Sequence, residues 1–125
     1  MSTILIIEDN RNIRENTAEL LEMEAYNVIT ASDGKEGFQK ILDLIPDLVI
    51  CDILMPKMGG LELLAKLEMH NNLKTIPLIF FSVKSEKKDI KIAMGLGAYD
   101  YIVKPSDLKE LLVSIRKCLK NRKSS

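Results

Sequence analysis

Three short runs of the chain, "TILII" from Thr3, "DLVIC" from Asp47 and "PLIFF" from Pro77, are apolar with no polar alternation. A strand with one wet face alternates. A strand covered on both faces does not, and double burial is the condition of a parallel sheet. Two further runs, "NVITA" from Asn27 and "YDYIV" from Tyr99, bring the set to five. Helical periods fill the gaps. Phe38, Ile41, Leu42 and Ile45 repeat at i, i+3, i+4 and i+7, and Leu108, Leu111, Leu112, Ile115 and Leu119 carry the same stripe one turn further. Ile13, Thr17, Leu20 and Leu21 mark a first helix, Leu61, Leu64 and Ala65 start a third, and Ile90, Ala93 and Met94 mark a shorter fourth. Asp33 with Glu36 and Asp107 with Glu110 have capping-box spacing, and Gly97 closes the fourth helix.

Strict alternation of strand and helix, five times over, implies right-handed crossovers and helices on both faces of one sheet. The expected fold is α/β, a single doubly wound (βα)5 domain with a five-stranded parallel sheet. In the 2-1-3-4-5 strand order common to such sheets, strands one and three meet at the switch point, and ligands bind at the carboxyl ends there. At 125 residues, 46% of them apolar, the chain fills one core. The expected domain covers residues 1–121, and 122–125 form a polar, frayed tail or the start of a linker.

Eighteen basic residues balance eighteen acidic ones, so no global field draws the chain to nucleic acid or to an anionic membrane. No apolar run approaches the roughly 20 residues that span a bilayer, and "MSTILIIEDN" reaches acids too early for a signal peptide. The expectation is a cytoplasmic protein whose present segment binds neither nucleic acid nor membrane. Cys51 and Cys118 have neither zinc-site nor disulfide-scaffold spacing and read as small buried hydrophobes; His70, the only histidine, reads as a surface residue near a helix end.

Four of the five apolar runs finish on a reactive or charged group: Glu8 and Asp9 after the first, Asp52 after the third, Ser82 after the fourth and Lys104 after the fifth. Singly, each has an ordinary reading as a cap, a solvated loop residue or a surface lysine. Together, the fold brings them to one sheet edge, with Asp9 and Asp52 on adjacent strands. Two carboxylates about 4 Å apart repel by roughly 4 kcal/mol at an effective dielectric near 20, so they share a proton or hold a cation. Oxygen-only ligands point to a hard divalent ion, Mg²⁺, for which Mn²⁺ can substitute. A carboxylate beside such an ion, a hydroxyl and a lysine suits phosphoryl transfer to an aspartate, with Asp52 as acceptor.

With these residues in place, the chain closely resembles the receiver domains of two-component response regulators, the CheY-like family. The likeness runs through "ILIIEDN", "VICDILMPKMGG", "PLIFFSVKS" and "GAYDYIVKP". It implies that Asp52 is the phosphorylated aspartate, Asp9 a direct metal ligand and Glu8 an acid holding the metal directly or through water. Leu54 offers its backbone carbonyl to the metal, Lys104 binds a phosphoryl oxygen, and Pro105 belongs to a Lys-Pro step where a cis bond is common. Ser82 turns its hydroxyl onto the phosphoryl group and Tyr101 follows, changing the face of the fourth helix, fifth strand and fifth helix. Leu54 and Lys84 flank the path of an attacking water and tune the lifetime of the phosphorylated state. The implied partners are a sensor histidine kinase or phosphotransfer protein upstream, and a downstream protein or an output domain absent from this segment.

Three positions depart from the pattern. Val83 stands where a small Ala or Gly is commoner, which narrows access to the phosphoryl group. Ser106 stands where many relatives have Phe and can serve as a helix cap. "LLVSIRK" lacks the Ala-Arg pair of winged-helix regulators, which argues against a dimer of their type and leaves another phosphorylation-dependent dimer open. Three other functions fit less of the sequence. A phosphohydrolase with an aspartyl-phosphate intermediate typically has Asp-x-Asp, and Leu54 fills the second slot. A flavodoxin-like cofactor binder needs a Ser/Thr/Gly-rich phosphate loop where "EDNRNIRE" is acidic. An unphosphorylated scaffold of the same fold usually lacks the acceptor or the lysine, and both are present.

Overall fold

The computed structural model describes residues 1–104 and 108–124, the last three of these as backbone only. Strands β1 (Thr3–Ile7), β2 (Asn27–Ala31), β3 (Leu48–Cys51), β4 (Leu78–Ser82) and β5 (Asp100–Val103) alternate with helices α1 (Arg11–Met23), α2 (Gly34–Leu44), α3 (Gly60–Glu68), α4 (Lys87–Gly95) and α5 (Leu108–Ser124). The strands form one parallel sheet, as the alternation implies, in the expected order β2-β1-β3-β4-β5. Odd and even residues of each central strand enter different cores. Ile4, Ile6, Leu48, Ile50, Ile79 and Phe81 meet Leu21 of α1 and Leu111 and Ile115 of α5. Leu5, Ile7, Val49, Cys51, Leu78 and Phe80 meet Ile41, Leu63, Leu67 and Ala93 from α2, α3 and α4. This two-sided burial is why those runs do not alternate. Cys51 and Cys118 are both buried, as expected of small hydrophobes.

The helix faces differ from their sequence stripes in three places. Leu42 and Ile45 are 42% and 49% exposed, and Ile45 caps α2 in the left-handed region at a φ of 43°. The contact is made instead by Gly34, Gly37 and Ile41. A Cβ on Gly34 would stand 2.0 Å from the Met58 carbonyl oxygen, and one on Gly37 would stand 2.4 Å from Ile7 Cδ1. In α3 the buried face is Leu63, Leu64 and Leu67, with Leu61 and Ala65 only partly covered. On α4, Met94 is exposed and Ala93 faces the core. At the other end, α5 continues as helix to Ser124 where the sequence suggests fraying. The Asp107 cap, Ser106 and the Lys104-Pro105 bond lie outside the described residues.

The Asp33–Glu36 cap forms as the spacing indicates: Asp33 Oδ1 accepts from the Glu36 amide at 2.8 Å. Glu36 reaches back to the Ser32 amide at 2.8 Å and pairs with Lys40 at 3.0 Å. The Ser32 amide, ahead of Lys40 and the Ser32 hydroxyl, lowers the Glu36 carboxyl from 4.5 to about 2. A carboxyl depressed on folding adds stability above its unfolded value and loses it as pH falls towards the folded one. The stability gap between the native chain and Glu36→Gln is therefore expected to shrink as urea unfolding is moved from neutral pH to acid, closing between 4.5 and about 2.

Candidate functional site

Strand register assembles the site. Ile7 pairs with Cys51 across β1 and β3, so Glu8 and Asp52, the next residues of each strand, leave the sheet side by side. The Asp52 amide donates to the Ile7 carbonyl at 3.1 Å, and the Glu8 amide donates to Ala31 on β2 at 3.1 Å. Ser82 pairs with Val103, and the Lys104 amide donates to the Ser82 carbonyl at 2.7 Å. Four strands thus deliver their terminal side chains to one edge.

Two of those side chains are carboxylates, and Asp9, next to Glu8, adds a third. Glu8, Asp9 and Asp52 each place an oxygen within 4.8 Å of the others. Lys104, with only 7% of its side chain exposed, sets Nζ 2.5 Å from Glu8 Oε1 and 3.3 Å from Asp52 Oδ2. Its ammonium also lies 5.1 Å from the centre of the Phe81 ring. Backbone amides occupy the remaining inner oxygens: Ile53 donates to Asp52 Oδ1 at 2.7 Å and Asn10 to Glu8 Oε2 at 3.1 Å. Burial raises the Glu8 carboxyl above its usual value, against the bonds from Lys104 and Asn10 that favour its charge. Three carboxylates facing one ammonium leave an excess of negative charge, which a small divalent cation would balance. The all-oxygen donor set and an exposed Asp9 fit Mg²⁺, which retains water ligands.

Ser82 is fully buried, and its Oγ accepts from the Lys84 amide at 3.3 Å. Tyr101 is buried too, and its hydroxyl donates to the Lys84 carbonyl at 2.7 Å. Burial raises the Tyr101 phenol, against a hydrogen bond with the Ser82 side chain that lowers it. Ser82 and Tyr101 are thus joined through the backbone of one residue. The Lys84 ammonium lies 3.7 Å from Asp89. Leu54 and Val83 are 57% and 60% exposed. Val83 lines an apolar groove of about 290 Å³ with Ile13, Phe81 and Leu108, and Lys104 lies on the same groove. Pro105 is outside the described residues.

Sequence reasoning missed three supports of the site. Asn10 caps α1, its side chain accepting from the Ile13 amide at 3.0 Å, a role that an Asn just before a helical period does signal. Arg14 donates from α1 to the Glu8 carbonyl at 2.8 Å, a bond no local pattern announces. Gly60 opens α3 beneath Asp52, where a Cβ would stand 2.3 Å from the Asp52 carbonyl oxygen and 2.8 Å from the Phe80 ring. Gly60→Ala is expected to destabilise the chain by about 2 kcal/mol or more in urea unfolding, because neither neighbour is free to withdraw.

Residues 4–116 match the family described as response regulator receiver domain. The response regulator ArlR of Staphylococcus aureus is 38% identical over 122 residues, which is 98% of this chain and 54% of that protein. The chain therefore spans about half the length of the curated relatives it matches. Among solved structures, the signal receiver domain of a signal transduction histidine kinase from Syntrophus aciditrophicus is 31% identical, with a TM-score of 0.92 over 100% of this chain and 95% of that one. The chemotaxis protein CheY4 of Vibrio cholerae is 28% identical, with a TM-score of 0.88 over 95% of this chain and 99% of that one. On the family match over most of its length and the 38% identity, the chain belongs to the receiver domains of two-component response regulators.

Proposed function

We propose that the chain is a phosphorylation switch in which Asp52 accepts a phosphoryl group from a histidine kinase or phosphotransfer protein. The observation that carries this reading is the state of the Asp52 carboxylate. Oδ1 is pinned by the Ile53 amide at 2.7 Å, and Oδ2 faces the Lys104 ammonium inside a three-carboxylate cluster. In the transfer, an Asp52 oxygen bonds to phosphorus as the bond to the donor's nitrogen or oxygen breaks, and the electron pair leaves with the donor. Lys104 stabilises charge on the transferring oxygens. Glu8, Asp9, Asp52 and the Leu54 carbonyl would hold Mg²⁺ or Mn²⁺, which when bound would offset the negative charge gathered at the acceptor. The domain's catalysis acts on itself, in uptake and in slow loss of the group.

The output follows from the Ser82–Lys84–Tyr101 chain of bonds. A phosphoryl group on Asp52 adds acceptor oxygens that compete for the Ser82 hydroxyl. Moving that hydroxyl alters its bond with the Lys84 amide, and the Lys84 carbonyl is the partner of Tyr101. The surface formed by α4, β5 and α5 then changes.

Intact mass after incubation with Mg²⁺ and a small acyl phosphate tests the reading. Addition of one phosphoryl group, prevented by chelation, is expected; no addition to folded protein by two different donors would overturn it. Val83→Ala clears the rim of the groove beside Lys104 and is expected to change the rate of uptake or loss a few-fold, about 1 kcal/mol in barrier. Equal rates in a phosphate-release assay would remove Val83 from the set of tuning residues, which would leave Leu54 and Lys84.

A further inference from the structure

The sheet ends at β2, which pairs with β1 and leaves its other edge open. Two bonds fix the direction of the backbone along that strand. The Asn27 amide donates to the Ser2 carbonyl and the Ala31 carbonyl accepts from the Glu8 amide, so Asn27, Ile29 and Ala31 turn their backbones to β1. Val28 and Thr30 therefore turn theirs outward. One of these outward groups is closed: the Thr30 carbonyl accepts from Lys40 Nζ at 2.5 Å. The Val28 amide and carbonyl and the Thr30 amide have no partner among the described residues.

Open edges of natural sheets often carry a charge on the strand itself. β5, at the opposite edge, carries Asp100, whereas residues 25–32, which contain β2, carry no charge. Val28, Ile29 and Thr30 are β-branched in succession and only partly buried, the composition of a strand that pairs readily. The charge at this edge comes instead from α2. Glu36, one turn before Lys40, holds the ammonium at 3.0 Å while accepting from the Ser32 amide at 2.8 Å and the Ser32 hydroxyl at 2.9 Å. The ammonium is thus fixed between an anchored carboxylate and the strand.

We propose that the β2 edge is a pairing surface for a second copy of the same strand, kept shut by Lys40. A two-fold axis beside Ile29 sets the two strands antiparallel, with Val28 of each copy opposite Thr30 of the other. Each outward pair then exchanges both of its backbone bonds, and Ile29 meets its own image across the axis as a β-branched pair. Nothing on the strand repels that image, because the strand is uncharged. The pairing needs the Thr30 carbonyl, and that is the group Lys40 occupies. With Lys40 in place, the pair would lose the bonds to both Thr30 carbonyls and would bring two ammonium groups to one interface, which desolvation and like charge oppose. The contact is autoinhibitory: the native chain stays single at this edge, and removal of the cation lets the sheets of two copies run on as one.

The test is sedimentation velocity of the full chain without Mg²⁺ or phosphoryl donor, so that its outcome is independent of the phosphorylation reading. The native chain and Lys40→Arg, which keeps a cationic donor, are expected to be monomers, and Lys40→Met is expected to dimerise at least about tenfold more tightly than either. Amide exchange read by NMR locates the contact. The Val28 and Thr30 amides are expected to be unprotected in the native chain and protected in Lys40→Met, more so as concentration rises. Thr30→Pro added to Lys40→Met removes an outward donor without a ladder bond and is expected to restore the monomer. Lys40→Ala, which also loses the stem, is a second variant expected to behave as Lys40→Met does. A Lys40→Met chain that stays monomeric at about 0.5 mM, a Lys40→Arg chain that dimerises equally, or a dimer whose Val28 and Thr30 amides exchange freely would each overturn the proposal. So would a Lys40→Met monomer whose edge is protected only by an added strand peptide of threonine and valine, since the occupant would then be another chain.

Discussion

Asp52→Asn is expected to abolish phosphoryl uptake while making the metal-free fold more stable. The two effects have one cause. The amide cannot attack phosphorus, so intact mass is expected to show no gain with any donor. The same amide keeps an oxygen for the Ile53 amide but removes one of three mutually repelling carboxylates. Glu8 then holds Lys104 alone, at the shorter of that lysine's two contacts. A gain of about 1 kcal/mol in urea unfolding without metal is the expected size. Because the cluster has lost one carboxylate and its charge, Mg²⁺ is expected to raise the stability of Asp52→Asn less than that of the native chain. A variant that still takes up phosphate would move the acceptor elsewhere, and one equally stabilised by Mg²⁺ would take Asp52 out of the metal site.

Lys104→Met is expected to lose on both counts. The methionine follows the path of the lysine stem but leaves Glu8 and Asp52 buried without their cation. Breaking a buried pair by removing one partner costs about 3 kcal/mol, and loss of a positive group from the transferring oxygens costs about a hundredfold or more in rate. The discriminating measurement is the metal dependence of stability. A divalent cation restores charge balance where the ammonium is gone, so Mg²⁺ is expected to recover more stability in Lys104→Met than in the native chain, with no matching recovery of the transfer rate. Equal responses to Mg²⁺ would mean that the lysine and the metal do not answer the same charge.

The placement of these two residues was legible in the sequence because both stand where a strand stops. An apolar run that ends on Asp52 or Lys104 identifies both the strand and the side chain it presents. The parallel sheet followed from strict alternation, and its strand order is the one common to five-stranded sheets of this kind. The helix faces were less legible, and α2 shows why. A periodicity of apolar side chains cannot count a contact made by glycine, so Gly34 and Gly37, whose backbones approach Met58 and Ile7, rotate the buried face away from Leu42 and Ile45. The partners of each site residue were also hidden. Spacing brings Lys104 to the acidic edge, but only the packed structure sets it nearer Glu8 than Asp52. Arg14 left no trace at all, because a helix side chain bound to a strand-end carbonyl has no local signature.

Lys104 meets Glu8 across 96 residues of sequence and Asp52 across 52. Such contacts close long loops, whose entropic cost is met only once the intervening strands are in register. No fragment ending before β5 carries the lysine, and none beginning after α1 carries Glu8 or Asp9. The lysine–carboxylate cluster therefore needs β1, β3 and β5 together in one sheet, and a molecule whose sheet is incomplete does not present it.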